Sequence, residues 1–254
     1  MEQKKYDVKN LIRKIKQKKE LSDLADSVVK SSLENYLNKY KISINESNPA
    51  RLKIILKEVR AELRKLSGQY QKTIKDKSKF STQELLKSHS STAERFDFYP
   101  ELKNIFFDLK VKSVLDLGCG LNPIALANQS LTYYASDIKE NELKIIKKFF
   151  KKNKINGTTF VYDLRSQIGS LPEVDICLIF KVLDIIDDKG HKTTEEILKK
   201  ISCKYFLISF STKKLSGKPM NHPTRFWFES ILKRLNLKFK KFKSTNEIFY
   251  LIEN

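Results

Sequence analysis

Three cysteines, three histidines and the absence of any long apolar run set the first bounds on this 254-residue chain. Cys119, Cys177 and Cys203 are too few and too scattered for a disulfide framework or a paired zinc site, so no metal is expected. No apolar stretch approaches the roughly 18 residues that a membrane span needs. The opening MEQKKYDVKN lacks the apolar core of a secretory signal. These absences lead us to expect a reduced, cytoplasmic protein with no membrane partner. His89, His191 and His222 are scattered and offer no general-base dyad.

Hydrophobic residues make up 40% of the chain, enough for a real core, and the net charge is +20. A charge of that size says nothing about fold but raises the odds of a polyanionic partner. A lysine-rich composition would inflate it everywhere, so its distribution matters. Residues 1–80 hold 21 Lys+Arg against 10 Asp+Glu, a net +11 in the first third alone.

Two kinds of pattern follow one another. From about residue 6 to 109 the apolar spacing is helical. Leu11 and Ile15, then Leu21, Leu24 and Val28, then Leu33, Tyr36, Leu37 and Tyr40 recur near that period. Ser47-Asn48-Pro49 signals a helix start. Leu52, Ile55, Leu56, Val59, Leu63 and Leu66 form its apolar stripe, and Ser67-Gly68 is expected to stop it. From Val111 onward, short apolar runs appear at Ser113–Leu117, Tyr133–Ser136, Thr159–Tyr162, Ile176–Phe180 and Tyr205–Phe210, with helical patterns expected between all five. That alternation implies a parallel sheet covered by helices. Lys238–Phe242 and Ile248–Ile252 flank only a short connection and read as an antiparallel hairpin. The expectation is an α/β, Rossmann-like seven-stranded sheet behind an all-α N-terminal domain. The boundaries are placed at 1–80 for a basic docking domain, 81–110 for a connecting helical segment and 111–254 for the sheet domain.

The sharpest local signal is Val114-Leu115-Asp116-Leu117-Gly118-Cys119-Gly120, a buried strand running into a glycine turn, with Asn122-Pro123 opening a helix. Glycines let a ligand approach the backbone closely, and the ligand crevice of such a sheet lies at the carboxyl ends of its strands. A dinucleotide site would use the same logic, but Pro123 stands where a third glycine belongs, and Asp116 precedes the turn, where it can face an ammonium group. The string resembles motif I of class I methyltransferases, with S-adenosylmethionine as cofactor. Asp137, ending the second strand, is placed to accept ribose hydroxyls, with Ile138 beside it, or to cap a helix. Asp163, with Leu164, is expected at the adenine. Phe180 and Lys181, at the end of the fourth strand, would face the transferred methyl and position substrate, or else serve as core and surface. No cysteine is placed as a nucleophile for carbon methylation, and no N/D-P-P-Y/F string of an amine methylase is present. A guanine N7 needs neither, because its lone pair is already free; transfer to it calls for in-line positioning and desolvation.

One segment goes further. Ser88-His89-Ser90-Ser91-Thr92-Ala93-Glu94-Arg95-Phe96 closely resembles the H-x-S-T-x-E-R-L segment of the Arm/Rmt aminoglycoside-resistance methyltransferases. Asp116–Ala125 and Ser209–Lys218 are similar to two further family strings, and Glu247–Ile252 resembles its closing strand, so the likeness covers about residues 85–254. It implies N7 methylation of guanine 1405 in small-subunit (16S) ribosomal RNA, an arginine at Arg95 that grips the methionine carboxylate, and a glycine loop at Gly118 and Gly120 with acids at Asp137 and Asp163 for the nucleoside. It also implies an N-terminal helical domain that docks on the assembled small subunit. Lys213, Lys214, Lys218 and Arg225 would then contact phosphates, and Trp227 or a nearby Phe would stack on the base. Arg95 has a simpler reading, a helix-start ion pair to Glu94 or Asp97. The chain departs from the family at Ser211, where the family has proline, and around Ile179–Asp184 and Lys218–Asn221. A methyltransferase on another RNA position, a small molecule or a protein, and a non-catalytic ribosome-binding factor, are the competing readings; a monomer is expected in each.

Overall fold

The computed structural model describes residues 7–44, 48–67, 81–166, 169–187, 190–213, 217–220 and 223–254. The chain divides into two compact units. One comprises Met1–Gln69 with Ile138–Asn141, and the other Tyr70–Asp137 with Glu142–Asn254.

The first unit is built on α1 (Val8–Lys16), α2 (Asp26–Lys39) and α3 (Pro49–Ser67). The Asp7 carboxylate caps α1 by accepting from the Lys9 amide (3.1 Å), and Asn48 does the same for α3 through the Arg51 amide (2.9 Å). The stripe expected on α3 is inside: Leu52, Ile55, Val59 and Leu63 are buried with Leu11, Ile15, Val29 and Leu33. Ser47 and the expected stop at Gly68 lie outside the described residues. Ile138–Asn141 joins this unit through backbone bonds: Ala25 N donates to Ile138 O and Glu140 N to Asp23 O, both at 3.0 Å.

The second unit opens with α4 (Thr82–Ser88), α5 (Ser90–Glu94) and α6 (Tyr99–Asp108). Expected as a connector, this segment instead shares the core of the sheet, through Leu86, Tyr99, Leu102 and Phe106. Seven strands follow: β1 (Ser113–Leu117), β2 (Thr132–Asp137), β3 (Asn156–Val161), β4 (Val174–Phe180), β5 (Cys203–Ser211), β6 (Lys238–Lys243) and β7 (Glu247–Glu253). They form one sheet in the order β3-β2-β1-β4-β5-β7-β6. The first five are parallel; β7 runs antiparallel to both β5 and β6. Alternation explains the layering. Val114, Ile176 and Leu178 face one core with α4–α6, α7 (Asn122–Leu126) and α8 (Glu140–Lys152). Leu115, Leu117, Cys177 and Ile179 face the other, with α9 (Leu183–Ile186), α10 (Lys192–Lys200) and α11 (Phe226–Arg234).

One expectation fails. Among the described residues, the link from β3 to β4 carries no helix. It is short, and Pro172 and Gly169 interrupt any helical period within it. No helix among the described residues is long and apolar enough to cross a membrane.

Candidate functional site

The strand order reverses between β1 and β4, and the expected site residues gather at the carboxyl ends of these strands. The turn after β1 holds Gly118 at φ +68° and Gly120 at φ +51°, angles that a side chain resists. Space is closed as well: a Cβ on Gly118 would stand 2.6 Å from Val182 Cγ2, and one on Gly120 would stand 3.3 Å from His89 Cε1. The Asp137 carboxylate fixes the turn by accepting from the Gly120 amide (2.9 Å). One of its oxygens is thus committed to the loop it was expected to share with a ligand.

Asp116 is fully buried. Tyr133 donates its hydroxyl to Oδ2 (2.7 Å), while Oδ1 has no hydrogen-bond partner among the described residues. Burial pushes its carboxyl up to about 7, against the pull of the Tyr133 hydrogen bond and the Arg95 charge. The Ser136 hydroxyl, at the end of the neighbouring strand, is also buried without a partner. Two orphaned polar atoms beside a glycine turn are the feature that a bound ligand with an ammonium group and hydroxyls would explain.

Arg95 is fully buried in a network of ion pairs. Its guanidinium donates to Glu247 Oε2 (2.8 Å) and Asn122 Oδ1 (2.6 Å), and lies 4.6 Å over the Phe180 ring. The simple pairing with Glu94 or Asp97 does not form; Glu94 pairs with Lys181 instead (2.6 Å). Glu247 also accepts from the Ser209 hydroxyl (2.6 Å) and lies 3.6 Å from the Lys181 ammonium. Burial alone would raise the Glu247 carboxyl, but Arg95 and Lys181 outweigh it and hold it below its usual range. Tyr99 donates to the same Asn122 oxygen (2.8 Å). Glu247, Asn122 and Tyr99 were missed in the sequence. The available clue was an acid opening the otherwise apolar run Ile248–Ile252. A second missed group is His89 with Glu142, both buried, with Nε2 and Oε1 3.6 Å apart beneath the glycine turn.

The remaining expectations divide. Asp163 is held by Arg165, whose Nε and Nη2 donate to its two oxygens (3.0 and 2.6 Å), and Leu164 is buried beside it. Phe180 is buried beneath Arg95 and edge-on to Phe249 (5.6 Å). Lys181, expected to meet substrate, is buried at φ +58° in the Glu94–Glu247 network, because the acids there neutralise it. Ile138, expected beside the cofactor, packs against the core of the helical unit. Arg225, expected on phosphate, is buried and bound to the Asp184 carboxylate (2.7 Å) and the Ser211 carbonyl (3.1 Å), which fasten the start of α11. Trp227 is half-buried, held edge-on to Phe210 (5.6 Å) and stacked on His191 (4.0 Å, 7° between planes), while the neighbouring Phe226 is exposed. Lys218 is exposed, Lys213 is half-buried in a bridge to Pro219, and Lys214 lies outside the described residues, as does His222. The three cysteines are buried and unpaired; burial raises all three thiols, that of Cys203 to about 12, so none is a ready nucleophile.

A family model described as ribosomal RNA methyltransferase (FmrO) matches residues 37–251. A Frankia casuarinae protein named 16S rRNA (guanine(1405)-N(7))-methyltransferase is 25% identical over 175 residues, 66% of this chain and 62% of that one. A Serratia marcescens protein of the same name is 27% identical over 175 residues, 66% of this chain and 68% of its own. The match to the Frankia protein therefore spans only about three-fifths of that relative's length. Among solved structures, the 16S rRNA methylase RmtB superposes with a TM-score of 0.78 at 21% identity over 98% of each chain, a likeness of fold. The 16S rRNA methylase ArmA matches at 28% identity and a TM-score of 0.56, over 69% of this chain and 91% of its own.

Proposed function

The chain belongs to the ribosomal RNA methyltransferase (FmrO) family, and from that premise we propose that it transfers a methyl group from S-adenosylmethionine to N7 of a guanine in small-subunit ribosomal RNA. The position is the one in its relatives' names, guanine 1405. The observation that carries the reading is the buried Asp116 carboxylate with one oxygen unsatisfied, beside the Gly118–Gly120 turn at the reversal of strand order. When bound, S-adenosylmethionine supplies a methyl already activated by its sulfonium charge. Asp116 would accept from its ammonium group, Arg95 would face its carboxylate, and Asp137 and Asp163 would lie along the nucleoside, with Leu164 as an apolar wall. The chain's own task is to orient and to exclude water. N7 needs no proton removed, and the raised thiols match a site that uses no cysteine nucleophile. Lys213, Lys214 and Lys218 are assigned to the phosphate backbone, and the assembled small subunit in the cytoplasm is the partner of a monomeric enzyme.

The test is to incubate purified small subunits with the protein and labelled cofactor, cleave with borohydride and aniline, and map the break by primer extension. A break at guanine 1405 establishes the reading. Label appearing only on free nucleosides or on protein overturns it. Expression in a susceptible host then reports whether aminoglycoside resistance follows.

A further inference from the structure

Helix α8 carries five lysines from residue 144 on, a sixth follows at Lys154, and residues 144–154 contain no acid. Its inner face is committed: Leu143, Ile146 and Phe150 are buried against the sheet, and Phe150 lies so close to β3 that a Cβ on Gly157 would fall 2.2 Å from its ring. The lysines at 144, 147, 148, 151 and 152 follow helical spacing on the outer face, and all are exposed. Among the described residues, Lys147, Lys148, Lys151, Lys152 and Lys154 form no ion pair.

A general lysine bias does not explain this face. Helix α10, in the same unit, has a last-turn lysine pair too, but it is matched four residues back: Lys199 with Glu195 (2.7 Å) and Lys200 with Glu196 (3.5 Å). The lysines of β6 protect the open edge of the sheet, a role α8 does not have. The helix dipole favours Lys151 and Lys152 in the last turn but not Lys144, Lys147 and Lys148. Like charges four apart, as in 144–148, 147–151 and 148–152, oppose the helix by a few tenths of a kcal/mol each. From Lys147 onward the face is therefore a local cost that no ion pair among the described residues relieves.

We infer that the outer face of α8 is a second phosphate-binding surface for the RNA substrate, separate from the lysines around residues 213–218. This rests on the RNA reading above. The occupant is argued from complementarity: a lysine strip about 12 Å long matches roughly three to four phosphates of one strand. An anionic membrane fits less well, because the aromatic residues of α8, Phe149 and Phe150, pack into the sheet's core and none is left to insert.

The experiment compares wild type, K147Q/K148Q/K151Q/K152Q and, as a control, K199Q/K200Q. Affinity for purified small subunits is measured across a salt series, with cofactor affinity and thermal stability recorded for each protein. The α8 variant is expected to lose about ten-fold or more in subunit affinity and to flatten the log–log salt slope by roughly two to three, with cofactor affinity unchanged. The control should match wild type. An α8 variant with wild-type affinity and slope overturns the inference while leaving the RNA reading intact. A wild-type protein that neither binds nor methylates small subunits overturns both. Loss of binding to phosphatidylserine vesicles without loss of subunit binding overturns it in favour of a membrane.

Discussion

In the helical unit, Leu11, Ile15, Val29, Leu33, Val59 and Leu63 fill the interior, and the ion pairs Lys16–Asp26, Lys30–Glu34 and Arg64–Glu20 have substantial exposure. Among the described residues, Lys139 is its one buried charge, donating to the Ser67 carbonyl (2.8 Å). The sheet unit buries Arg95, Asp116, Asp137, Glu142, Lys181, Arg225 and Glu247. Taking charge out of water is expensive, and an apolar core of similar volume holds a fold at least as well. The difference separates what each unit is built for: the first is held together by apolar contact, while the second retains costly charges where the strand order reverses.

Five substitutions would break or sharpen that contrast. The largest effect is expected from Glu247→Leu. It strands the buried Arg95 charge and leaves Lys181 with Glu94 alone, and urea denaturation should show a loss of about 3–5 kcal/mol; a loss below about 1 kcal/mol would mean that the network is not structural. In the helical unit the comparable damage needs an apolar truncation. Leu63→Ala should cost about 2–5 kcal/mol by the same measurement, whereas neutralising the exposed Lys30 should stay within about 0.5 kcal/mol.

Asp116→Asn should split stability from function. Calorimetry should find cofactor affinity reduced roughly 10- to 100-fold, while the apo protein melts no lower than wild type, because a carboxyl raised from 3.8 to about 7 is a liability at neutral pH. The sign follows from that direction. Between about pH 4 and 7 the folded carboxyl keeps a proton that the unfolded one has lost, so apo stability falls as pH rises through this window. An ammonium ligand prefers the ionised carboxyl, so its affinity should climb with pH up to about 7 and then level off. A flat affinity profile across that range would remove Asp116 from the ligand's contacts. A further loss, of about 1–3 kcal/mol, is expected from Gly118→Ala, from a left-handed backbone and the Val182 methyl in its path.

Much of this arrangement is legible in the chain because it is local. Ser113–Leu117 is a five-residue apolar run with one acid in it, and it is β1 to the residue. The glycine turn announces itself by composition. The links that escaped are those between distant positions. Arg95 and Glu247 are 152 residues apart, and Asp184 and Arg225 are 41 apart; neither pairing leaves a trace in spacing. The burial of Arg225 was not legible, because a cation beside a loop looks the same whether it meets RNA or its own core. Lys181 was misplaced because its two acids come from α5 and β7, outside any window that contains it. The link from β3 to β4 was assigned a helix by rhythm alone.

The distance between Arg95 and Glu247 also bears on how the protein is made. A chain emerges from the ribosome N-terminus first, and domains tend to fold as they appear. Arg95 is exposed to that process long before its partner exists. The glycine turn, Asp116 and Asp137 are all synthesised while the guanidinium still lacks the carboxylate that will hold it. β7 must then insert between β5 and β6, the latter made before it, to deliver Glu247. A fragment ending between residues 219 and 246 would carry the glycine turn and the acids at 116, 137 and 163 and still lack the carboxylate that pairs with Arg95.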